Sequence, residues 1–245
     1  MDKKIIVTGC AGFIGGHFTE SALKKGFKVI GIDKLSYASD LAFLETLKTK
    51  PNFSFINKDI CELDTLFNAD IVFNFAAESH VTNSINDSRL FIQSNINGVR
   101  NILDLIKLNS SKKIKLIHIS TDEVYGDRID GSFDELSLLN PSNPYSASKA
   151  GADLLINSYV RTFGLDVAIV RPTNNYGKRQ HIEKLIPLTI EKFKNNIKVP
   201  LHQKGEPIRT WLHVEDTCDA VFQINQKNLT GIFNINGPEE YKNID

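Results

Sequence analysis

Short apolar, β-branched runs recur along this chain, separated by longer segments with helical periodicity. The runs at about 4–8, 27–32, 53–56, 71–76, 114–120 and 166–171 have the length and composition of buried strands. They are continuously apolar rather than alternating, as strands covered on both faces must be. The patterns near 13–25, 40–49, 88–108 and 146–163 read as helices. The last follows Asn143-Pro144-Tyr145, with Ser146 as a candidate cap. Strand–helix alternation of this kind predicts an α/β fold, a doubly wound parallel sheet. After Pro172 the rhythm changes, and Asn, Gly, Pro and His become frequent. A first domain over 1–172 and a smaller lobe over 173–245 are expected, with residues near 205–236 returning to the first.

Composition narrows the function classes. Hydrophobic residues make up 41% of the chain and charged ones 24%, which is ordinary for a globular protein with a real core. Lys+Arg and Asp+Glu balance at 29 each, so no basic field exists to attract nucleic acid or an anionic membrane. Cys10, Cys61 and Cys218 are scattered and lack metal-ligand spacing; reduced thiols, no metal and a cytoplasmic location are the expectation. Lys3-Lys4 precedes only three apolar residues, far short of a signal or membrane segment.

The first strand runs into "GCAGFIG" (9–15), a GxxGxxG turn that opens a helix. Glycines at Gly9, Gly12 and Gly15 allow a tight turn and a close backbone approach to a pyrophosphate, with the helix N-terminus supplying free N–H groups. The second strand ends near Asp33, where an acid accepts hydrogen bonds from ribose hydroxyls and repels a 2′-phosphate, favouring NAD over NADP. Asp59-Ile60 and Phe75-Ala76-Ala77 stand at the ends of the third and fourth strands. A helix cap for Asp59 and plain packing for the alanines are equally consistent with their types.

The fifth strand ends in "HISTDEVYG" (118–126), which places two adjacent carboxylates, Asp122 and Glu123, at its tip. Some 25 residues on, "YSASK" sets Tyr145 and Lys149 one helical turn apart. A neighbouring ammonium favours the phenolate and is expected to lower the Tyr145 pKa, giving a base for an alcohol. Such a pair arises by chance in about half of chains of this composition, so its weight comes from following the fifth strand.

Gly9–Gly15, Asp33, Thr121, Tyr145 and Lys149 together resemble an extended short-chain dehydrogenase/reductase with a Rossmann-type fold. Within that group the chain is similar to the nucleotide-sugar 4,6-dehydratases. The stretches that carry the likeness are "DKLSYAS" (33–39), "AAESHV" (76–81), "STDEVYG" (120–126), "NPYSASKAGAD" (143–153), "NNYG" (174–177), "EKLIP" (183–187) and "IRTWLHVED" (208–216). "STDEVYG" is the specific one, because related epimerases and reductases lack its acid pair.

The resemblance implies a reaction on a nucleotide-diphosphoglucose, with dTDP and UDP both open. Tyr145 would take the proton of the 4-hydroxyl as carbon 4 gives hydride to NAD. Glu123 would remove the hydrogen on carbon 5, Asp122 would protonate the departing 6-hydroxyl, and hydride would return to carbon 6. Thr121 would bond the 4-oxygen. Around the cofactor the likeness adds Phe13, Ile14, Lys34, Leu35, Ser36, Ser79, Ser94 and Asn175 to the residues above. Around the substrate it implies Ser79, Asn174, Lys184, Leu185, Pro200, Leu201, His202, Arg209 and Asn243. Arg209 fits best on chemistry, since a guanidinium fork suits phosphate oxygens. His80 is expected as a cleft wall. A homodimer joined through the helices near 88–108 and 146–163 is also implied. Thr82-Asn83 and Ile182 depart from the family's usual residues. Members of the group continue well beyond this length, so the second lobe is expected to be incomplete. The alternatives are an epimerase or decarboxylase of the same superfamily, or an NAD-binding chain without turnover.

Overall fold

In the computed structural model the described residues are 3–109, 112–128, 131–199 and 205–244. Ten strands are described: β1 (Lys4–Thr8), β2 (Lys28–Asp33), β3 (Phe53–Asn57), β4 (Ile71–Asn74), β5 (Lys115–Ile119), β6 (Val167–Pro172), β7 (Asn174–Tyr176), β8 (Ile208–His213), β9 (Gly231–Ile235) and β10 (Glu240–Lys242). Seven form one parallel sheet in the order β3-β2-β1-β4-β5-β6-β9. Successive residues Ile5, Ile6 and Val7 are all fully buried, which is why β1 shows no alternation. Burying each such side chain contributes about 1.5–3 kcal/mol.

Helices cover both faces. On one side α1 (Phe13–Lys24), α2 (Leu41–Lys48) and α8 (Val214–Gln226) close over Phe18, Leu44, Phe73 and Phe222, with the Phe18 and Phe222 rings stacked at 4.3 Å. On the other, α5 (Gly98–Leu108) and α6 (Pro144–Phe163) press Val99, Ile102, Leu103, Ala152 and Ile156 against Ile6, Val72, Leu116 and Ile169. The chain leaves β1 for β2 on one side and reaches β4 on the other. The strand order therefore reverses between β1 and β4, and the crevice beyond their carboxyl ends is where such sheets bind ligands.

Two local features differ from the pattern-based expectation. α6 starts at Pro144 and not at Ser146: Asn143 caps it, and Asn143 and Ser146 form a reciprocal capping box. The helix expected over 88–108 is interrupted. α3 (Val81–Asn86) and α4 (Arg89–Phe91) precede a π-helical turn, Ile92–Asn97, before α5. There the Asn95 amide bonds the Glu78 N–H and carbonyl and the Ser148 hydroxyl, holding the widened turn against the loop after β4. After Pro172, β7, β8 and β10 make a small second sheet, with α7 (Leu185–Lys194) beside it in the chain, and α8 and β9 rejoin the main layers. Among the described residues no helix is long and apolar enough to cross a membrane, and no group of His, Cys, Asp and Glu could hold a metal.

Candidate active site

The glycine turn is built by exclusion of side chains. Gly9 has φ +68°, and a Cβ there would lie 2.7 Å from Ala76 N. At Gly15 it would lie 2.1 Å from the Gly9 carbonyl oxygen, so α1 packs directly on the turn. Gly12 caps α1 without a side chain, at the point where the turn opens into a cleft of about 460 Å³. Gly9, Gly12, Phe13, Ile14 and Gly15 all line that cleft. A turn with no Cβ in the way, leading into a helix N-terminus, fits a dinucleotide pyrophosphate.

Asp33 sits at the next strand end and is buried. Its Oδ2 accepts from Ala11 N at 3.0 Å and its Oδ1 from Leu35 N at 2.8 Å, which locks the carboxylate across the glycine turn. Burial pushes its carboxyl up, and the Leu35 and Ala11 N–H groups pull it down. Lys34 bridges Glu78 Oε1 at 2.8 Å and Ser94 Oγ at 2.8 Å, so the π-helical turn is tied to the β2 loop. Ser36, Asp59, Ile60, Phe75, Ala76, Ala77, Ser79 and Ser94 join Asp33 and Lys34 on the cleft wall. Asp59 is a cap as well, accepting from Cys61 N at 2.9 Å. Leu35 does not line the main cleft. It has φ +61° and packs its side chain against the core, so only its N–H serves the site.

At the β5 tip Thr121 turns the chain into a 3₁₀ turn, Asp122–Tyr125. Its hydroxyl accepts from Glu123 N and donates to Asp122 Oδ1, each at 3.3 Å. Glu123 Oε2 accepts from Asn143 Nδ2 at 3.2 Å, tying the turn to the cap of α6. Burial, and then the neighbouring Glu123 charge, push Asp122 up to about 6. Thr121, Glu123, Tyr145 and Lys149 line the cleft; Asp122 does not, lying next to it under the Thr121 hydroxyl. Beneath the turn, Arg171 donates to Asp153 at 2.9 Å and to the Tyr125 hydroxyl at 2.6 Å. That buried pair clamps the turn between β6 and α6.

The tyrosine expectation needs correction. Burial, followed by the Glu123 charge, raises the Tyr145 pKa, and the Thr121 hydroxyl only partly opposes this. Lys149 is not among the groups that lower it: its amine donates to the Ile119 carbonyl at 2.7 Å and lies 3.3 Å from His118 Nε2. Burial pushes Lys149 down to about 8.

From the second lobe, Asn174, Asn175, Lys184, Leu185, Arg209 and Asn243 reach the cleft. The Asn175 amide is held internally, accepting from Thr217 at 2.6 Å and donating to the Thr173 carbonyl at 2.9 Å. Lys184 donates to the Ser79 carbonyl at 3.1 Å. Pro200, Leu201 and His202 lie outside the described residues. His80 is not a cleft wall: it caps α3 through Asn83 N and faces Glu183 at 3.4 Å. Sequence reasoning missed Glu78, Gln180, His181, Glu183 and Trp211 on the wall. Glu78, Glu183 and Trp211 fall inside the quoted motifs, whereas nothing local marks Gln180 or His181. Among the described residues, the buried Gln180 Oε1 and Asn243 Oδ1 have no protein partner, as expected of polar atoms kept for a ligand.

Known proteins are similar to this chain in sequence and fold. The model of the family described as GDP-mannose 4,6 dehydratase matches residues 6–244. The chain is 39% identical over 254 residues to the dTDP-glucose 4,6-dehydratase of an Actinoplanes species, which covers 99% of this chain and 79% of that protein. It resembles the structure of DesIV, dTDP-glucose 4,6-dehydratase from Streptomyces venezuelae with NAD and TYD bound, with TM-score 0.93 and 38% identity over 98% of this chain and 78% of that one. UDP-glucuronic acid 4-epimerase from Bacillus cereus, in complex with UDP-glucuronic acid and NAD, gives TM-score 0.93 at 29% identity over 99% and 80% of the two chains. A match across nearly all of the sequence, on a Rossmann-type sheet whose cleft joins a glycine turn to the Thr121–Tyr145–Lys149 group, means that the chain belongs to the GDP-mannose 4,6-dehydratase family, within the extended short-chain dehydrogenases/reductases.

Proposed function

We propose that this protein is an NAD-dependent nucleotide-sugar 4,6-dehydratase that converts a nucleotide-diphosphoglucose, dTDP-glucose before UDP-glucose, into its 4-keto-6-deoxy sugar. One observation carries the reading. Two adjacent carboxyls occupy different surroundings beside Tyr145, Asp122 being pushed up to about 6 and Glu123 lining the cleft. Water elimination needs an acid and a base beyond the tyrosine, whereas a 4-epimerase moves only the hydride and hydroxyl proton at carbon 4 and needs no such carboxyl pair.

The glycine turn, Asp33 and the Ser94 wall would hold NAD, and Tyr145 and Lys149 would face its reactive end. NAD, when bound, supplies the hydride acceptor for carbon 4 and the donor for carbon 6, and its positive nicotinamide favours the Tyr145 phenolate that burial alone opposes. Tyr145 then takes the proton of the 4-hydroxyl while Thr121 bonds the same oxygen. The new ketone acidifies the carbon 5 hydrogen, which Glu123 removes as a proton. Asp122, which lies next to the cleft under Thr121, would give the proton of its acid form to the 6-hydroxyl, which leaves as water; Asp122 then regains a proton from solvent, to which Tyr145 returns the one it took. As carbon 6 is reduced, carbon 5 regains a proton from Glu123. Arg209, Lys184 and Asn243 would hold the nucleotide diphosphate, with the lobe of 173–245 as its subsite and residues 1–172 as the cofactor domain. The names of the relatives favour dTDP.

The same reading makes the protein a homodimer. Leu90 and Leu154 are 59% and 60% exposed on α4 and α6, an apolar surface suited to a second copy. Incubation with dTDP-glucose and with UDP-glucose tests the activity. A product with alkali-induced keto-sugar absorbance supports it. A 4-epimer without that absorbance supports the epimerase alternative.

A further inference from the structure

Three polar residues stand side by side across the apolar sheet. β1 pairs Thr8 with Asn74 of β4, and β4 pairs Asn74 with His118 of β5, so the three side chains form one row at the carboxyl end. The row faces the α5–α6 layer, in register with Ile6, Val72 and Leu116 two residues back along each strand. Thr8, Asn74 and His118 are all essentially inaccessible. Polar groups are unfavourable at such positions unless each is hydrogen-bonded. Here each is: Thr8 Oγ1 to Asn74 Oδ1 at 2.6 Å, Asn74 Nδ2 to His118 Nδ1 at 2.9 Å, and His118 Nε2 to Lys149 Nζ at 3.3 Å. Ala76 N also donates to Thr8 Oγ1 at 3.3 Å, so the row begins beside the glycine turn and ends at the lysine.

We propose that His118, oriented by Asn74 and Thr8, is the positioning residue that aims the Lys149 amine into the cleft in either of its charge states. This rests on the dehydratase reading for its consequence, and on the geometry alone for its existence. An ammonium has three hydrogens. One goes to the Ile119 carbonyl, one to His118, and the third is left for the cleft that Lys149 lines. An ammonium only donates, so His118 Nε2 must accept from it; the imidazole proton then sits on Nδ1 and needs the Asn74 amide oxygen, so this state turns the amide over from the orientation above. With the amide as first described, its NH₂ meets Nδ1, the imidazole proton moves to Nε2, and that N–H is given to a neutral amine. The Thr8 hydroxyl donates to the amide oxygen in the neutral state and accepts from the amide NH₂ in the charged one. Besides His118, the groups around Lys149 are Asp153 one turn along α6, Arg171 of β6 bound to Asp153, and Tyr145 one turn back. The strand β4 brings only the neutral Asn74.

The test compares wild type, His118→Leu, His118→Gln and Thr8→Val. The Lys149 Nζ titration is followed by NMR of lysine labelled at Cε, assigned with Lys149→Arg, and NADH formation with dTDP-glucose is followed against pH. Of the two states the ammonium's charge-assisted bond to Nε2 is the stronger, so its loss in Leu should lower the Lys149 midpoint by about one unit and the rate of oxidation by about tenfold, with KM unchanged. Gln offers an amide oxygen near the Nε2 position and should recover most of both. Thr8→Val, nearly isosteric and two side chains away from the lysine, should shift the midpoint in the same direction by a smaller amount. If His118→Leu lowers the melting temperature and leaves the midpoint where it was, or if Gln shifts it as far as Leu, His118 is core packing only. Should His118→Leu not fold, an unmoved midpoint in Thr8→Val overturns the proposal equally. The titration needs no turnover: a wild type inert toward nucleotide-glucose refutes the dehydratase reading, while the midpoints still decide the role of His118.

Discussion

Asp122 and Glu123 are adjacent, yet their carboxylates answer to different partners: Thr121 Oγ1 donates to Asp122 at 3.3 Å, and Asn143 Nδ2 donates to Glu123 at 3.2 Å. Asp122 is raised from 3.8 to about 6, so between those values the folded protein binds more protons than the unfolded chain. Its ionisation therefore lowers stability as pH rises from about 4 to 6. Asp122→Asn should be more stable than wild type at pH 7, by about 1–3 kcal/mol, and equal to it near pH 3. Urea unfolding at the two pH values measures the difference.

Asp33 both meets the cleft and holds the Ala11 and Leu35 N–H groups. Asp33→Ser should weaken NAD binding and narrow its advantage over NADP, since the charge that repels a 2′-phosphate is gone. Titration of each cofactor checks this; equal affinities in the wild type would remove the assignment.

The glycines of the turn should separate by what a methyl group meets. Gly15→Ala puts a Cβ 2.1 Å from a backbone carbonyl and should destabilise the fold by about 1–3 kcal/mol or prevent folding. Gly12→Ala meets only the Gly9 carbonyl, at 3.2 Å, and should fold yet bind NAD more weakly. Thermal melts with and without NAD distinguish the two.

Leu154→Asp places a charge on the exposed apolar surface of α6 and should give a monomer in light scattering at micromolar concentration. A wild-type monomer would contradict the dimer outright.

What was legible in the chain follows from how far each signal reaches. β1 to β6 and their buried runs could be read locally, as could the glycine turn and Asp33, because strand burial and turn chemistry act over a few residues. The π-helical turn could not be, since it depends on Asn95 bonding Glu78, 17 residues earlier. β8 was equally hidden: Ile208 and Arg209 are exposed, Leu212 is buried, and no apolar run marks the strand. Tyr145 and Lys149 were found by spacing, but spacing says nothing of their surroundings. The ammonium turns to Ile119 and His118, and burial moves the phenol pKa upward, opposite to the pairwise expectation.

The central claim is that Glu123 is the base at carbon 5, acting after Tyr145 has enabled oxidation at carbon 4. Its most direct measurement is deuterium wash-in at carbon 5 of dTDP-glucose in a single turnover, recorded alongside NADH absorbance, for wild type and Glu123→Gln. Glu123→Gln should still form NADH while its exchange at carbon 5 slows by about 10²–10⁴. Exchange as fast as in wild type, with NADH forming normally, would contradict it.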